Sequence, residues 1–377
     1  MRVEPLATAA VMHAAGTDLE LRQFPVPAAP PGGAVVRVHC CTICRSDLHT
    51  WMGRRPGPVP AILGHEIVGS LAALGAGCER DASGLPLRVG DRVTWTLHSS
   101  CGQCVYCRDF DLPMKCLALR KYGHQRCDEA PHLRGGLAEI CVLDAGTAIV
   151  RIPDAVGDLA AAPANCAVAT AVAGCEAAGL QPGGSVLLQG AGALGCYAAA
   201  YAARRGCARI IATDVSAERL AFIRRFGATD CIDMSACTPE DFLGQVAART
   251  QGLGVDAALE LAGAPDVVDL GLRALRTGGR YVEIGCCFPD ARASLDLSLI
   301  LHKRLTLCGL HNYDVRHLVA AIELLAGGGP QFPFAELVGR QFPLADVNRA
   351  LRAAESRAAF RVAVLCGPTA ESPALPR

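Results

Sequence analysis

The chain has 377 residues, 51% of them hydrophobic, with Lys+Arg and Asp+Glu balanced at 36 each. That length exceeds one ordinary core and predicts two domains, while the balanced charge excludes nucleic acid or an anionic membrane as the main partner. Aromatics at 5% leave little for base stacking. Twenty cysteines, in a chain whose N-terminus lacks a charged start, apolar core and cleavage site, predict a reducing, cytoplasmic setting rather than a secreted disulfide scaffold.

Residues 1 to about 150 are rich in Pro, Gly and short β-branched runs such as Ala34 to Val38, and they read as a mainly β domain with irregular loops. The uncharged, alanine-rich stretch from Leu159 to Cys175 contains Pro163 and Asn165 and is short for a bilayer; it predicts a buried helix. From about Gly183 the pattern alternates. Ser185–Gln189 reads as a strand and Ala193–Arg205 as a helix. A strand over Ala208–Thr213 and a helix over Ala217–Phe226 follow. Asp256–Leu261 and Arg280–Ile284 continue the series. Such alternation predicts a parallel sheet with helices on both faces. Gly367 to Arg377 carries three prolines and reads as a loose tail.

Two motifs carry chemistry on their spacing. Cys101, Cys104, Cys107 and Cys116 fall within sixteen residues. Four thiolates on one loop suit a closed tetrahedral zinc, a structural staple with no open position. Gly190, Gly192 and Gly195 form GxGxxG between a predicted strand and a predicted helix, and the acidic Asp214 ends the next strand. That context predicts a dinucleotide site. The first glycine makes the turn, the second admits the pyrophosphate and the third lets helix and strand pack. Asp214 would accept ribose hydroxyls and repel a 2′-phosphate, which favours NAD over NADP. Arg219 lies near enough to soften that preference.

A second cluster contains Cys44, Ser46, Asp47 and His49, followed by Gly64-His65-Glu66 with Gly69 and Gly75, a complete GHExxGxxxxxG. At these residues the chain resembles the zinc-containing medium-chain alcohol dehydrogenases, from about residue 10 to about 366. The resemblance implies a Rossmann doubly wound sheet inserted in a GroES-like, mainly β catalytic domain. Residues 1–166 would form the catalytic domain and 167–310 the nucleotide domain, with 311–377 returning to the first. It implies two Zn2+ ions per chain. Cys44, His65 and Cys166 would hold the catalytic ion, with Cys166 the ligand least evident without the resemblance. Glu66 matches an acid that in some members approaches the metal, and Asp47 one that hydrogen-bonds behind a ligand. Ser46 matches the hydroxyl taking the substrate proton, and His49 the solvent end of that relay. Thr170 matches a residue near the nicotinamide, and Arg45 and Arg361 match positions that pair with the pyrophosphate.

Elementary chemistry agrees. Two thiolates and a neutral imidazole cancel the charge of Zn2+, and zinc takes bound water from a pKa of about 16 to about 7, worth roughly 12 kcal/mol. A bound alcohol is acidified comparably, which hydride loss requires, and in reverse the ion polarises a carbonyl. A hydroxyl and a titrating imidazole then carry the proton to water. Two departures stand out. The last gap in the four-cysteine loop is eight residues where seven is commoner. The stretch from Pro163 to Thr170 lacks the glutamate-proline pair of many polyol dehydrogenases.

The expected function is hydride transfer between a small alcohol and NAD. A narrower resemblance, at Cys41–Thr50, Leu119–His124 and Ala162–Cys166, is to dehydrogenases associated with phosphonate catabolism and implies an anionic substrate. Arg54, Arg55, Lys121 and His124 are the candidate anion partners, and Trp95 is placed either in the pocket or in the core. Alternatives are an NAD-binding sensor or partner protein with structural zinc only, a zinc-type polyol dehydrogenase, and a zinc-free quinone reductase. The resemblance also implies a homodimer or homotetramer.

Overall fold

The computed structural model describes residues 5–328 and 331–367. The ten residues beyond 367, most of the expected tail, lie outside the described residues. The chain divides into two compact units, one drawn from Met1–Cys166, Asp314–Gly329 and Phe334–Arg377, the other from Ala167–Tyr313 and Pro330–Pro333.

The first unit is built on antiparallel pairs. Strands β1 (Leu6–Met12) and β2 (Glu20–Pro25) pair as a ribbon. Strand β3 (Ala34–Thr42) runs into helix α1 (Arg45–Trp51), and the two-residue β4 (Ala61–Ile62) pairs β1. After these come β5 (Glu66–Leu74), β6 (Arg92–Trp95), β7 (His98–Ser99), helix α2 (Val105–Arg108), β8 (Arg120–Lys121), β9 (Ile140–Leu143), β10 (Ile149–Arg151) and helix α3 (Asp158–Ala161). β3 is the organising strand. It pairs β5 along one edge and β9 along the other, and Val35, Val36 and Val38 are buried in the β core. Each such side chain contributes about 1.5–3 kcal/mol when fully buried.

The second unit opens with α4 (Ala167–Ala177) and carries a parallel sheet: β11 (Ser185–Gln189), α5 (Ala193–Arg204), β12 (Arg209–Asp214), α6 (Ala217–Ile223), β13 (Asp230–Asp233), α7 (Pro239–Arg249), β14 (Val255–Glu260), α8 (Val268–Ala274), β15 (Leu275–Glu283), α9 (Leu297–Lys303) and β16 (Thr306–Gly309). The strand order is β13-β12-β11-β14-β15-β16, all parallel. Order reverses between β11 and β14, the switch point where doubly wound sheets bind ligands. The central strands β11, β12 and β14 are mostly buried, hence their apolar middles, while the edge strands β13 and β16 are more exposed.

The chain then returns to the first unit with α10 (Val315–Gly328), β17 (Val338–Pro343), α11 (Val347–Glu355) and β18 (Arg361–Leu365). β18 pairs β3 at Cys40–Thr42, just past the stretch of β3 that β9 occupies, and completes a seven-stranded sheet.

The helix expected over Leu159–Cys175 is broken. α3 passes into a 3-10 turn, Ala162–Asn165, with Pro163 near its start, and Cys166 leaves helical geometry at φ −140°, ψ −79° before α4 begins. Proline lacks an N–H and disfavours helix in the residue before it. No single helix among the described residues is long and apolar enough to cross a membrane.

Candidate active site

Register brings two donors together. Thr42 faces Glu66 across the antiparallel pair of β3 and β5, so Cys44, just past β3, and His65, just before β5, emerge at the same end. Gly64 makes the approach at φ +90°, where a Cβ would lie 2.6 Å from Cys41 Sγ. Cys166 supplies the third donor from the end of the 3-10 turn, with its Sγ 3.9 Å from Cys44 Sγ. Ligand atoms of Cys44, His65 and Cys166 all lie within 4.8 Å of one another.

Asp47 organises this end. Its carboxylate accepts from the Cys44 N–H at 3.0 Å and the Gly64 N–H at 3.2 Å, and it lies 3.0 Å from His65 Nδ1. That contact leaves Nε2 as the donor nitrogen. Burial works to lower the His65 imidazole, but Asp47 and the Cys44 thiolate outweigh it and raise it to about 10. A hydrogen bond from Cys166 pulls the Cys44 thiol well below the ordinary range, against burial. The set is two thiols, one readily ionised, and an oriented imidazole. It fits an open three-ligand zinc. Ser46 Oγ lies 3.3 Å from His65 Nε2.

The four-cysteine loop also converges. Cys104 Sγ is 3.5 Å from Cys107 Sγ and 3.9 Å from Cys116 Sγ, close to the separation of about 3.8 Å that a tetrahedron with bonds of about 2.3 Å requires. Backbone N–H groups of Cys104 and Ala118 donate to Cys101 Sγ and Cys116 Sγ at 3.4 and 3.3 Å. The long last gap runs from the final residue of α2, Arg108, through a reversal at Asp111 with φ +52° to a 3-10 turn over Pro113–Lys115.

In the second unit, Gly190 turns at φ +119°, and a Cβ on Gly195 would lie 2.1 Å from Gly190 O, so α5 packs directly on the loop. A Cβ on Gly192 would meet nothing within 4 Å, and Gly192 caps the N-terminus of α5. This open, N–H-lined position fits a pyrophosphate. Asp214 ends β12, and its carboxylate accepts from the Ala191 N–H at 2.9 Å and the Ser216 N–H at 3.0 Å. It therefore braces the glycine loop.

Residues 30–154 match the alcohol dehydrogenase GroES-like domain and residues 193–327 match the zinc-binding dehydrogenase family. The chain is 31% identical to 5-exo-hydroxycamphor dehydrogenase of Pseudomonas putida over 348 residues, covering 91% of this chain and 94% of that one. The chain belongs to the zinc-containing medium-chain alcohol dehydrogenases. It is an oxidoreductase by that membership. An alcohol dehydrogenase of Rhizobium meliloti is 32% identical, over 85% of this chain and 88% of that one. The crystal structure of an alcohol dehydrogenase from Thermotoga maritima superposes with a TM-score of 0.91 at 28% identity, covering 96% of this dehydrogenase and all of that chain.

Other expected residues of the dehydrogenase have varied surroundings. Glu66 is fully buried, accepts from Thr42 Oγ1 at 2.6 Å and lies 3.1 Å from Arg361 Nη2, outside the three-donor cluster. Burial pushes its carboxyl up to about 8, with Arg361 working against that. Arg361, expected at a pyrophosphate, thus has a carboxylate partner within its own unit, as a buried guanidinium requires. Arg45 is exposed at the start of α1, Thr170 is half-buried in α4, and Arg219 is half-buried in α6. His49 is half-buried on α1, and burial with Arg45 and Arg54 lowers its imidazole.

Of the anion candidates, Arg54 is exposed, while Arg55 and Lys121 are half-buried. Burial lowers the Lys121 ammonium; the Cys166 and Cys44 thiolates raise it and Arg55 lowers it, which places all three within electrostatic reach. His124 stacks obliquely on His65, with ring centroids 5.2 Å apart. Burial, His65 and Lys121 push His124 down to about 3, so it is neutral and carries no charge for an anion. Its Nδ1 donates to Tyr122 O at 3.0 Å and its Nε2 faces Arg55 Nη1 at 3.4 Å, so it orients that guanidinium. Trp95 is in the core, unexposed and edge-on to Tyr122 at 6.2 Å, rather than at an open pocket wall.

Two groupings escaped sequence reasoning. Asn165 is fully buried and accepts from the Ile67 N–H at 3.1 Å. Its only sequence signal was a polar residue in an apolar run. Glu260, Glu283 and Cys286 converge at the ends of β14 and β15. There Glu260 accepts N–H bonds from Ala262, Gly263 and Gly285 and so staples the two loops.

Proposed function

We propose that this dehydrogenase oxidises a small alcohol, or reduces its carbonyl, with NAD, and that Cys44, His65 and Cys166 hold its catalytic zinc. The convergence of those three donors beside Ser46 carries the reading. Cys101, Cys104, Cys107 and Cys116 hold a second, structural zinc. When bound, the catalytic ion acidifies a hydroxyl or polarises a carbonyl, and the nicotinamide exchanges hydride.

The chain's own groups do the rest. Asp47 fixes the His65 tautomer and ties both donor-bearing segments. Ser46 Oγ receives the substrate proton, and His49, three residues on and on the same side of α1, passes it to water. Burial, with Arg45 and Arg54, lowers the His49 imidazole and so favours its neutral, proton-accepting form. Gly192 and the start of α5 take the pyrophosphate, and Asp214 takes the adenosine ribose. Its negative charge favours NAD over a 2′-phosphorylated cofactor.

Arg55 and Lys121 place positive charge on the side of the three donors, which supports an alcohol bearing an acidic group such as a phosphonate. The chain acts in the cytoplasm on this reading: none of its twenty cysteines is paired in a disulfide. It assembles as a homo-oligomer through the sheet edge at β16, where Leu307 is exposed on the strand and Leu295, Leu297 and Leu301 are exposed at and just before α9.

The test is nicotinamide reduction by purified zinc-loaded protein across alcohols and hydroxyalkyl phosphonates. Cys44→Ser should abolish turnover while NAD binding survives. Unchanged turnover in that variant would overturn the assignment.

A further inference from the structure

The edge of β5 changes partner close to the three-donor site. β5 pairs β6 only at Gly69↔Val93 and Ser70↔Arg92. Nearer His65, two side chains stand where a strand would. Thr94 Oγ1 donates to Ile67 O at 3.0 Å, and Asn165 Oδ1 accepts from the Ile67 N–H at 3.1 Å. Ile67, Thr94 and Asn165 are all fully buried. A buried backbone N–H requires an acceptor, and at Ile67 the Asn165 amide provides it.

The location gives that bond its meaning. Ile67 lies two residues beyond His65, and Asn165 immediately precedes Cys166. Between Asn165 and Cys166 the backbone leaves the 3-10 turn, and the Cys166 N–H still donates to Pro163 O at 3.3 Å. One side-chain hydrogen bond therefore joins the strand that follows one donor to the turn that delivers another. Asp47 makes the equivalent tie between Cys44 and His65, and it does not reach Cys166.

We propose that Asn165 is a positioning residue that sets the Cys166 thiolate against His65 by standing in as the strand partner of Ile67. It touches no reacting atom and is not a ligand. The inference rests on the proposed metal reading of Cys44, His65 and Cys166.

The test compares Asn165→Leu, of similar size without an acceptor, with Asn165→Asp, which retains one. Thr94→Val is the control, because it removes the neighbouring bond to Ile67 and leaves the Asn165–Ile67 bond in place. Each is loaded with cobalt(II) at the catalytic site. The thiolate-to-cobalt and ligand-field bands are recorded, and the ion's affinity is measured by chelator competition. Asn165→Leu should weaken the ion about 10–100-fold, the range for residues that orient ligands, and shift the bands while the four-cysteine zinc stays in place. Asn165→Asp should move both readouts back toward wild type, and Thr94→Val should leave them unchanged. Wild-type bands and affinity in Asn165→Leu would overturn the inference. So would a Thr94→Val variant that behaves like Asn165→Leu, since the effect would then be general packing. If Asn165→Leu does not fold, Asn165→Ala is judged by the same criteria. A wild-type chain binding only one metal equivalent, unaltered by Cys44→Ser, would overturn the metal reading itself. Two equivalents in wild type and in Asn165→Leu, held equally well, would overturn the Asn165 role alone.

Discussion

Gly64→Ala should damage the site through backbone strain and collision together. Gly64 sits at φ +90°, and an added Cβ would lie 2.6 Å from Cys41 Sγ and 3.0 Å from Leu137 N. A left-handed conformation costs a non-glycine residue about 1–2 kcal/mol, and overpacking a filled core costs about 1–3 kcal/mol more. Gly77 is the matched control, because it has φ +85° and nothing within 4 Å of its Cβ position. Gly77→Ala should therefore show the conformational cost alone. The difference, about 1–3 kcal/mol, corresponds to roughly 2–12 °C in Tm for a unit of this size. Calorimetric unfolding of the zinc-loaded proteins measures it, and catalytic-site metal retention should fall only in Gly64→Ala, because His65 is the next residue. Equal Tm losses in the two variants would refute the collision argument.

Other outcomes follow from the same geometry. Lys121→Met and Arg55→Met should raise KM for a hydroxyalkyl phosphonate about 10–100-fold and spare neutral alcohols; two charges about 4 Å apart interact by about 4 kcal/mol at an effective dielectric of 20, reduced here by partial exposure. Equal effects on both substrate types, measured by steady-state kinetics, would rule out the anion role. At Asp158, burial raises the carboxyl, but hydrogen bonds from His39 and Arg92 outweigh it and hold it below its ordinary range. A depressed carboxyl stabilises the fold above its unfolded pKa and loses that contribution as pH falls through the folded one. Arg92→Met should thus cost about 1.5–3 kcal/mol at neutral pH in denaturant titrations, with the gap to wild type closing below about pH 4. Asp214→Ser should raise the NADP-to-NAD ratio of kcat/KM and weaken both cofactors, since the carboxylate also braces Ala191 and Ser216; an unchanged ratio would remove its role in selection.

Legibility in the sequence tracked the kind of physics involved. Ser185–Gln189 could be read as a strand because burial on both faces makes its middle, Val186 to Leu188, apolar, and the glycine spacing at Gly190–Gly195 reflects backbone geometry that only glycine permits. The four cysteines were visible because their donors are local. Cys166 was not visible alone, since its partners lie more than a hundred residues away and many other cysteines compete. The break at Pro163–Cys166 hid inside an alanine-rich run whose composition suits helix. The neutrality of His124 depends on its burial against His65 and Lys121, and the core position of Trp95 depends on Tyr122; neither is written in local spacing. Asn165 belongs to the same class, because its partner Ile67 is defined only by where the pairing of β5 with β6 stops.

The late arrival of β18 has a consequence for biosynthesis. Cys40–Thr42 pair with strand residues around Ala363, so the sheet edge leading to Cys44 waits for almost the whole chain. The nucleotide-binding sheet is translated in the interval and has all its strands first. At about 5–20 residues per second, the roughly two hundred residues between Cys166 and β18 take on the order of 10–40 s to emerge. During that time the side chains of the two proposed zinc sites sit on a nascent chain with an unclosed sheet, open to oxidation and to the wrong metal. Cellular thiol balance and zinc supply at the ribosome, as much as the finished fold, then set how much of this dehydrogenase matures.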